Sequence, residues 1–102
     1  MIKHINEKEF ENEIKDKKVI IDFYADWCGP CKMLSKVIES YDGEGKLDIL
    51  KVNVDESNEL ANKYQVFSIP TVVVLENGKE IKRRTGFMSL SEFESWVSED
   101  EK

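Results

Sequence analysis

The sequence predicts an α/β domain in which five strands alternate with four helices. Residues 19–24 have the length and near-continuous apolarity of a strand covered on both faces, and residues 47–54 read as a second inner strand. A stretch with helical spacing separates them, which implies a right-handed parallel crossover. A third run, residues 71–75, is followed by Asn77-Gly78, the strongest short-range hairpin signal, so the second half of the sheet turns antiparallel. At 102 residues the chain is read as one domain, residues 1–102, with a single modest core that needs no metal or structural disulfide.

Residues 2–5 form a short first edge strand. Asn6, with Glu9 three positions on, resembles a capping box opening a helix that presents Phe10 and Ile14 on one face. Asp16-Lys17-Lys18 is a polar break before strand 19–24, whose exception is Asp22. A helix runs from Pro30, tolerated there because early helical N–H groups lack intrahelical partners. Cys31, Leu34, Ile38 and Tyr41 mark its buried stripe, and Asp42-Gly43-Glu44-Gly45 ends it. After strand 47–54, Ser57 caps a short helix carrying Leu60, Ala61 and Tyr64. Residues 66–70 lead into strand 71–75, and residues 79–85 return antiparallel. On that edge strand, Lys82-Arg83-Arg84 would discourage strand addition. Ser89 with Glu92 is a second capping box, and Leu90, Phe93, Trp96 and Val97 form the stripe of the last helix. Residues 99–102 read as a frayed tail.

Charged residues make up 35% of the chain and the net charge is −6, which argues for a soluble protein and against nucleic acid or anionic membrane as a partner. The N-terminus has no apolar h-region, and no run approaches the roughly 20 apolar residues of a membrane span, so the cytoplasm is the expected compartment. Both cysteines lie in one C-x-x-C, which reads as redox or metal chemistry. A zinc site needs about four ligands, and with His4 the only histidine and no third cysteine, no metal and no cofactor is expected. His4 itself is read as an ordinary surface or edge residue.

The chemistry concentrates in Asp26-Trp27-Cys28-Gly29-Pro30-Cys31-Lys32. Cys28 falls at or just before the first turn of a helix, where unpaired N–H groups and the helix dipole favour a thiolate, so it is the candidate nucleophile. Cys31, one turn in and on the apolar stripe, is expected to be shielded and placed to attack a mixed disulfide held on Cys28. Gly29 leaves room for a substrate and Pro30 stiffens the turn. Asp22, an acid in an apolar strand, is costly unless it is paired or its pKa rises.

Trp27-Cys28-Gly29-Pro30-Cys31-Lys32 following a strand resembles the active-site signature of the thioredoxin family. Ile21-Asp22-Phe23, Lys51-Val52-Asn53-Val54-Asp55, Ser68-Ile69-Pro70-Thr71 and Asn77-Gly78 follow the family in order and spacing. The resemblance implies the thioredoxin fold, a central five-stranded mixed sheet flanked by four helices. It also implies a monomeric protein-disulfide reductase recycled by a thioredoxin reductase, with clients such as ribonucleotide reductase, peroxiredoxins and methionine sulfoxide reductases. Residue by residue, it makes Asp22 the proton acceptor for Cys31 and Lys51 the partner that tunes this acid while out of direct contact. It places Trp27 in the substrate-facing surface and implies a cis bond at Ile69-Pro70 in a loop against the sulfurs. Ile69 would pair main chain to main chain with an extended substrate, and Gly86 with Phe87 would belong to a further loop beside the active site. Tyr24 stands where many members have tryptophan, and Lys36 stands where the family commonly has a helix proline, so a less kinked helix is expected. Two other functions compete: an interaction subunit that never turns over, disfavoured by the intact cysteine pair, and an oxidase or isomerase, disfavoured by Gly29-Pro30 and the lack of a secretion signal.

Overall fold

The computed structural model describes residues 1–42 and 47–99. Its elements are β1 (Ile2–His4), α1 (Glu7–Ile14), β2 (Lys18–Tyr24), α2 (Gly29–Asp42), β3 (Asp48–Asn53), α3 (Asn58–Lys63), β4 (Thr71–Glu76), β5 (Lys79–Thr85) and α4 (Leu90–Ser98). The strands form one sheet in the order β1-β3-β2-β4-β5. β1 and β2 both pair parallel with β3, whereas β2–β4 and β4–β5 are antiparallel. The expected five-stranded mixed sheet with four helices is therefore present.

Alternation along the inner strands sends side chains to two separate cores. Val19, Ile21, Phe23, Leu50, Val52, Val73 and Leu75 meet Phe10 and Ile14 of α1 and Leu60 of α3 on one face. Ile20, Ile49, Val72 and Val74 meet Leu34, Ile38 and Tyr41 of α2 and Phe93, Trp96 and Val97 of α4 on the other. Asp22 lies on this second face, in β2 between two strands that both hydrogen-bond to it.

Both capping boxes form: Asn6 and Glu9 exchange hydrogen bonds of 3.0 and 2.9 Å, and Ser89 and Glu92 do so at 3.2 and 2.8 Å. Ser57 departs from expectation, since its side chain makes no capping hydrogen bond. The preceding turn is organised by Asn53 instead, whose Oδ1 accepts the Asp55 and Glu56 N–H groups. Ser57 is drawn inward by its N–H bond to the Asn53 carbonyl and is buried. Asn77 and Gly78 both take positive φ, as a two-residue hairpin turn requires.

α2 is helical without interruption through Lys36. Of the turn expected at Asp42-Gly43-Glu44-Gly45, Asp42 is the last residue of α2 and the rest lies outside the described residues, as do residues 100–102 of the expected tail. The basic residues of edge strand β5 do more than guard it. Lys82 donates to the carbonyls of Trp96 and Val97 at the end of α4. Arg83, pointing to the opposite face, donates to the Tyr64 carbonyl at 2.6 Å and the Gln65 carbonyl at 3.4 Å, just past α3. Each cation thus bonds to carbonyls at or just past the negative end of a helix.

Candidate active site

β2 delivers the chain to a tight turn, Ala25 to Cys28, from which α2 starts. Cys28 and Cys31 are joined by a disulfide, their Cα atoms 5.2 Å apart. The Cys28 N–H donates to the Ala25 carbonyl at 3.3 Å, and the Cys31 N–H donates to Cys28 Sγ at 3.2 Å. One amino-terminal N–H of α2, that of Cys31, therefore faces the first sulfur. Cys31 is shielded as expected, at 3% exposed, but Cys28 at 5% is scarcely more open, so in the disulfide form accessibility hardly separates them. The turn folds Cys28 against Ala25, Tyr24, Val54 and Ile69 along with Cys31, and what distinguishes the two sulfurs is the N–H group aimed at the first.

Several residues next to the disulfide in the chain are exposed. Trp27 is 71% exposed, with its Nε1–H donating to Asp55 Oδ2 at 2.9 Å. Gly29 and Pro30 are exposed. A Cβ on Gly29 would meet nothing within 4 Å, so internal packing does not demand glycine there. The Ile69-Pro70 bond is cis, and Ile69 packs against the cysteine cluster. Two bonds tie this loop to the end of β5: the Gly86 N–H donates to the Pro70 carbonyl at 2.8 Å, and Thr71 Oγ1, itself donating to the Ser68 carbonyl, lies 3.1 Å from Thr85 Oγ1. Gly86 takes φ +101°, a conformation that excludes most side chains. Phe67, 87% exposed and two residues before Ile69, and Phe87, next to Gly86, are further exposed aromatics.

Beneath the disulfide lies the charged part of the site. Asp22 and Lys51, register partners on β2 and β3, are both buried, with Lys51 Nζ 3.3 Å from Asp22 Oδ2. This corrects the expectation that Lys51 stays out of direct contact: opposed residues of a parallel pair project from the same face, and α2 covers both. The Lys51 ammonium donates to Ser35 Oγ at 2.8 Å and lies 4.8 Å from the centroid of the Tyr24 ring. Ser35 is four residues after Cys31, hence on the same face of α2. Burial pushes the Asp22 carboxyl above the usual aspartate range, and Lys51, then His4, pull the other way without cancelling it.

A cleft of about 210 Å³ opens above the pair, lined among others by His4, Tyr24, Asp26, Cys31, Ser35 and Lys51. Cys28, Cys31, Asp22, Lys51, Trp27, Gly29, Pro30, Ile69, Pro70 and Gly86 thus fall around one end of the sheet. Sequence reasoning missed Ser35, Asp55, Phe67 and the position of His4. Ser35 had a usable signal in its four-residue spacing from Cys31, and His4 one in its place on an edge strand. Asp55 had one as the last residue of the stretch Lys51-Val52-Asn53-Val54-Asp55, and Phe67 carried none.

A family profile described as Thioredoxin matches residues 1–99. Among curated relatives, a thioredoxin of Rickettsia bellii (strain RML369-C) is 38% identical over 102 residues, covering 96% of this chain and 97% of that protein. A thioredoxin of Staphylococcus aureus (strain Mu50 / ATCC 700699) is 42% identical over 85 residues, covering 81% of this chain and 82% of its own length. With a helix-initiating cysteine pair, a mixed five-stranded sheet and a profile match over nearly its whole length, the chain belongs to the thioredoxin family.

Proposed function

We propose that the protein reduces disulfides of client proteins through Cys28 as nucleophile and Cys31 as resolving thiol. The observation that carries this is the Cys31 N–H aimed at Cys28 Sγ from the start of α2, which stabilises negative charge on that sulfur. The Cys28 thiolate attacks one sulfur of a client disulfide, and the other leaves as a thiolate that takes up a proton. Cys31 then gives its thiol proton to the Asp22 carboxylate and attacks Cys28 Sγ, expelling the second client sulfur. Two electrons pass from the dithiol to the client, and a thioredoxin reductase restores them.

Asp22 suits its part because a carboxylate with a raised pKa is a better base than an ordinary one. Lys51, anchored by Ser35, holds counter-charge beside it. Trp27, Gly29, Pro30, Ile69, Pro70 and Gly86 form the surface on which a client segment lies. Recognition through the main chain at Ile69 accepts many sequences, which fits clients as different as ribonucleotide reductase, peroxiredoxins and methionine sulfoxide reductases. The working form is a single-domain monomer over residues 1–102 in the reducing cytoplasm. No described helix is long and apolar enough to cross a membrane.

The test is turnover of a disulfide-bonded protein with thioredoxin reductase and NADPH. Cys28→Ser and Cys31→Ser should each abolish it. A double-serine variant that retained full biological activity in the native host would instead make the protein an interaction subunit.

A further inference from the structure

His4, Lys51 and Asp22 stand in one row across three neighbouring strands. Lys51 is the register partner of His4 on β1 and of Asp22 on β2. Opposed residues of parallel strands share a face, so all three project toward α2. Tyr24, two residues beyond Asp22, is on that face as well, with its Oη 3.4 Å from His4 Nδ1 and its ring edge-on to the imidazole at 6.3 Å. The same Tyr24 ring lies under the Lys51 ammonium. His4 is exposed at the mouth of the cleft that Cys31 also lines, while Asp22 is buried beneath it.

We propose that His4 is a positioning residue for the second half of disulfide exchange: its cationic form, held at the cleft mouth by Tyr24 Oη, keeps Asp22 a carboxylate and so sustains the Cys31 step in mildly acidic conditions. This rests on the reading of Asp22 as acceptor of the Cys31 proton. Two strand spacings of about 4.8 Å put the imidazolium roughly 10 Å from the carboxylate. At an effective dielectric of about 20–40, attraction over that distance is worth about half to one pH unit in the titration of Asp22.

The groups facing His4 are Asp22 and Tyr24 from β2, Asp26 from the turn after it, Lys51 from β3, and Lys32 and Ser35 from α2. Asp26 attracts an imidazolium, and Lys32 and Lys51 repel one. Histidine is the side-chain type among the cations named here whose charge ordinarily depends on pH between 5 and 8. Burial raises the Asp22 carboxyl and His4 opposes that rise. Removing the positive charge must therefore move Asp22 protonation to higher pH, and the acidic limb of the Cys31 step with it.

The experiment uses the full-length protein with His4→Gln, which can still reach Tyr24 Oη but carries no charge, and His4→Lys, which restores a cation. Infrared titration follows the Asp22 carboxyl band, identified by its loss in Asp22→Asn. Stopped-flow reduction of a fluorogenic disulfide by the dithiol form gives the unimolecular second phase across pH 5–8. His4→Gln should raise both the band titration and the acidic limb by about half a pH unit, a loss of about three-fold on the acidic side of the limb that narrows as pH rises. His4→Lys should keep both at or below the wild-type pH. Equal shifts in the two variants, or an unmoved band, would overturn the proposal. A moved band with an unmoved limb would overturn it too, and the limb in Asp22→Asn then locates the fault: if it matches wild type, the reading of Asp22 has failed; if it is lost, the role of His4 has.

Discussion

Lys51 stands 3.3 Å from the Asp22 carboxylate, yet the hydrogen bond of its ammonium goes to Ser35 Oγ on α2. Both oxygens of Asp22 lie buried without a hydrogen bond among the described residues. The counter-charge is therefore close enough to attract the acid but not arranged to replace the water it has lost, and the net effect on Asp22 is a raised pKa.

Asp22→Asn should accordingly stabilise the fold while slowing turnover. An acid whose pKa is higher in the folded state stabilises it fully only while protonated. That contribution fades as pH rises from the ordinary value of 3.8 through the folded-state value. At neutral pH the wild type bears the cost of a buried carboxylate and the variant does not, a difference of about 1.4 kcal/mol for each pH unit by which the folded state raises the carboxyl. Urea unfolding at pH 7 should show this gain and at pH 3.5 should show little of it. A destabilised variant at pH 7 would mean that stranding the Lys51 charge outweighs the relief.

In the reduced protein Cys28 should alkylate faster than Cys31 at neutral pH. Since burial does not separate them, the preference rests on the N–H group at the start of α2 that favours a Cys28 thiolate. Brief iodoacetamide treatment followed by peptide mass mapping measures it, and predominant label on Cys31 would reverse the assigned roles.

Cys31→Ser should turn the protein into a trap. Cys28 can still form a mixed disulfide, but a serine hydroxyl is too weak a nucleophile to displace the client. Adducts on non-reducing gels should be abundant with this variant, scarce with Cys28→Ser, and lost on adding dithiothreitol. Equal adducts with both variants would count against the mechanism.

Asp55→Ala should weaken client capture without harming the fold. It releases the Trp27 indole N–H from its hydrogen bond to the Asp55 carboxylate. An exposed hydrogen bond of this kind contributes about 1 kcal/mol or less to stability. KM for a protein disulfide should rise several-fold with kcat nearly unchanged, and Trp27 fluorescence anisotropy should fall. An unaltered KM alongside lower anisotropy would show that the indole orientation does not matter to clients.

Much of this was legible beforehand. The inner strands, both capping boxes, the Asn77-Gly78 hairpin and the helical stripes follow from local pattern, because each is set by residues a few positions apart. The charged cluster did not follow, since Lys51 meets Asp22 only through strand pairing and meets Ser35 only after α2 docks on the sheet. Ser57 misled for a related reason: its capping potential was real, but Asn53, the last residue of β3, organised the same turn first. The near-equal burial of the two cysteines likewise depends on Ile69 and Val54 arriving from other segments.

Lys82 and Arg83 give β5 a significance out of keeping with its place at the edge of the sheet. Because the two neighbours reach opposite faces, one holding the end of α4 and the other the chain just after α3, peeling β5 from β4 would unfasten helices on both sides at once. Edge strands ordinarily fray, exchanging their amide hydrogens through small local openings. Here the opening is tied to the integrity of both cores. The amides that β5 bonds to β4 should therefore exchange with deuterium as slowly as those of the central strands, and Lys82→Met with Arg83→Met should return β5 to the fast exchange of an ordinary margin.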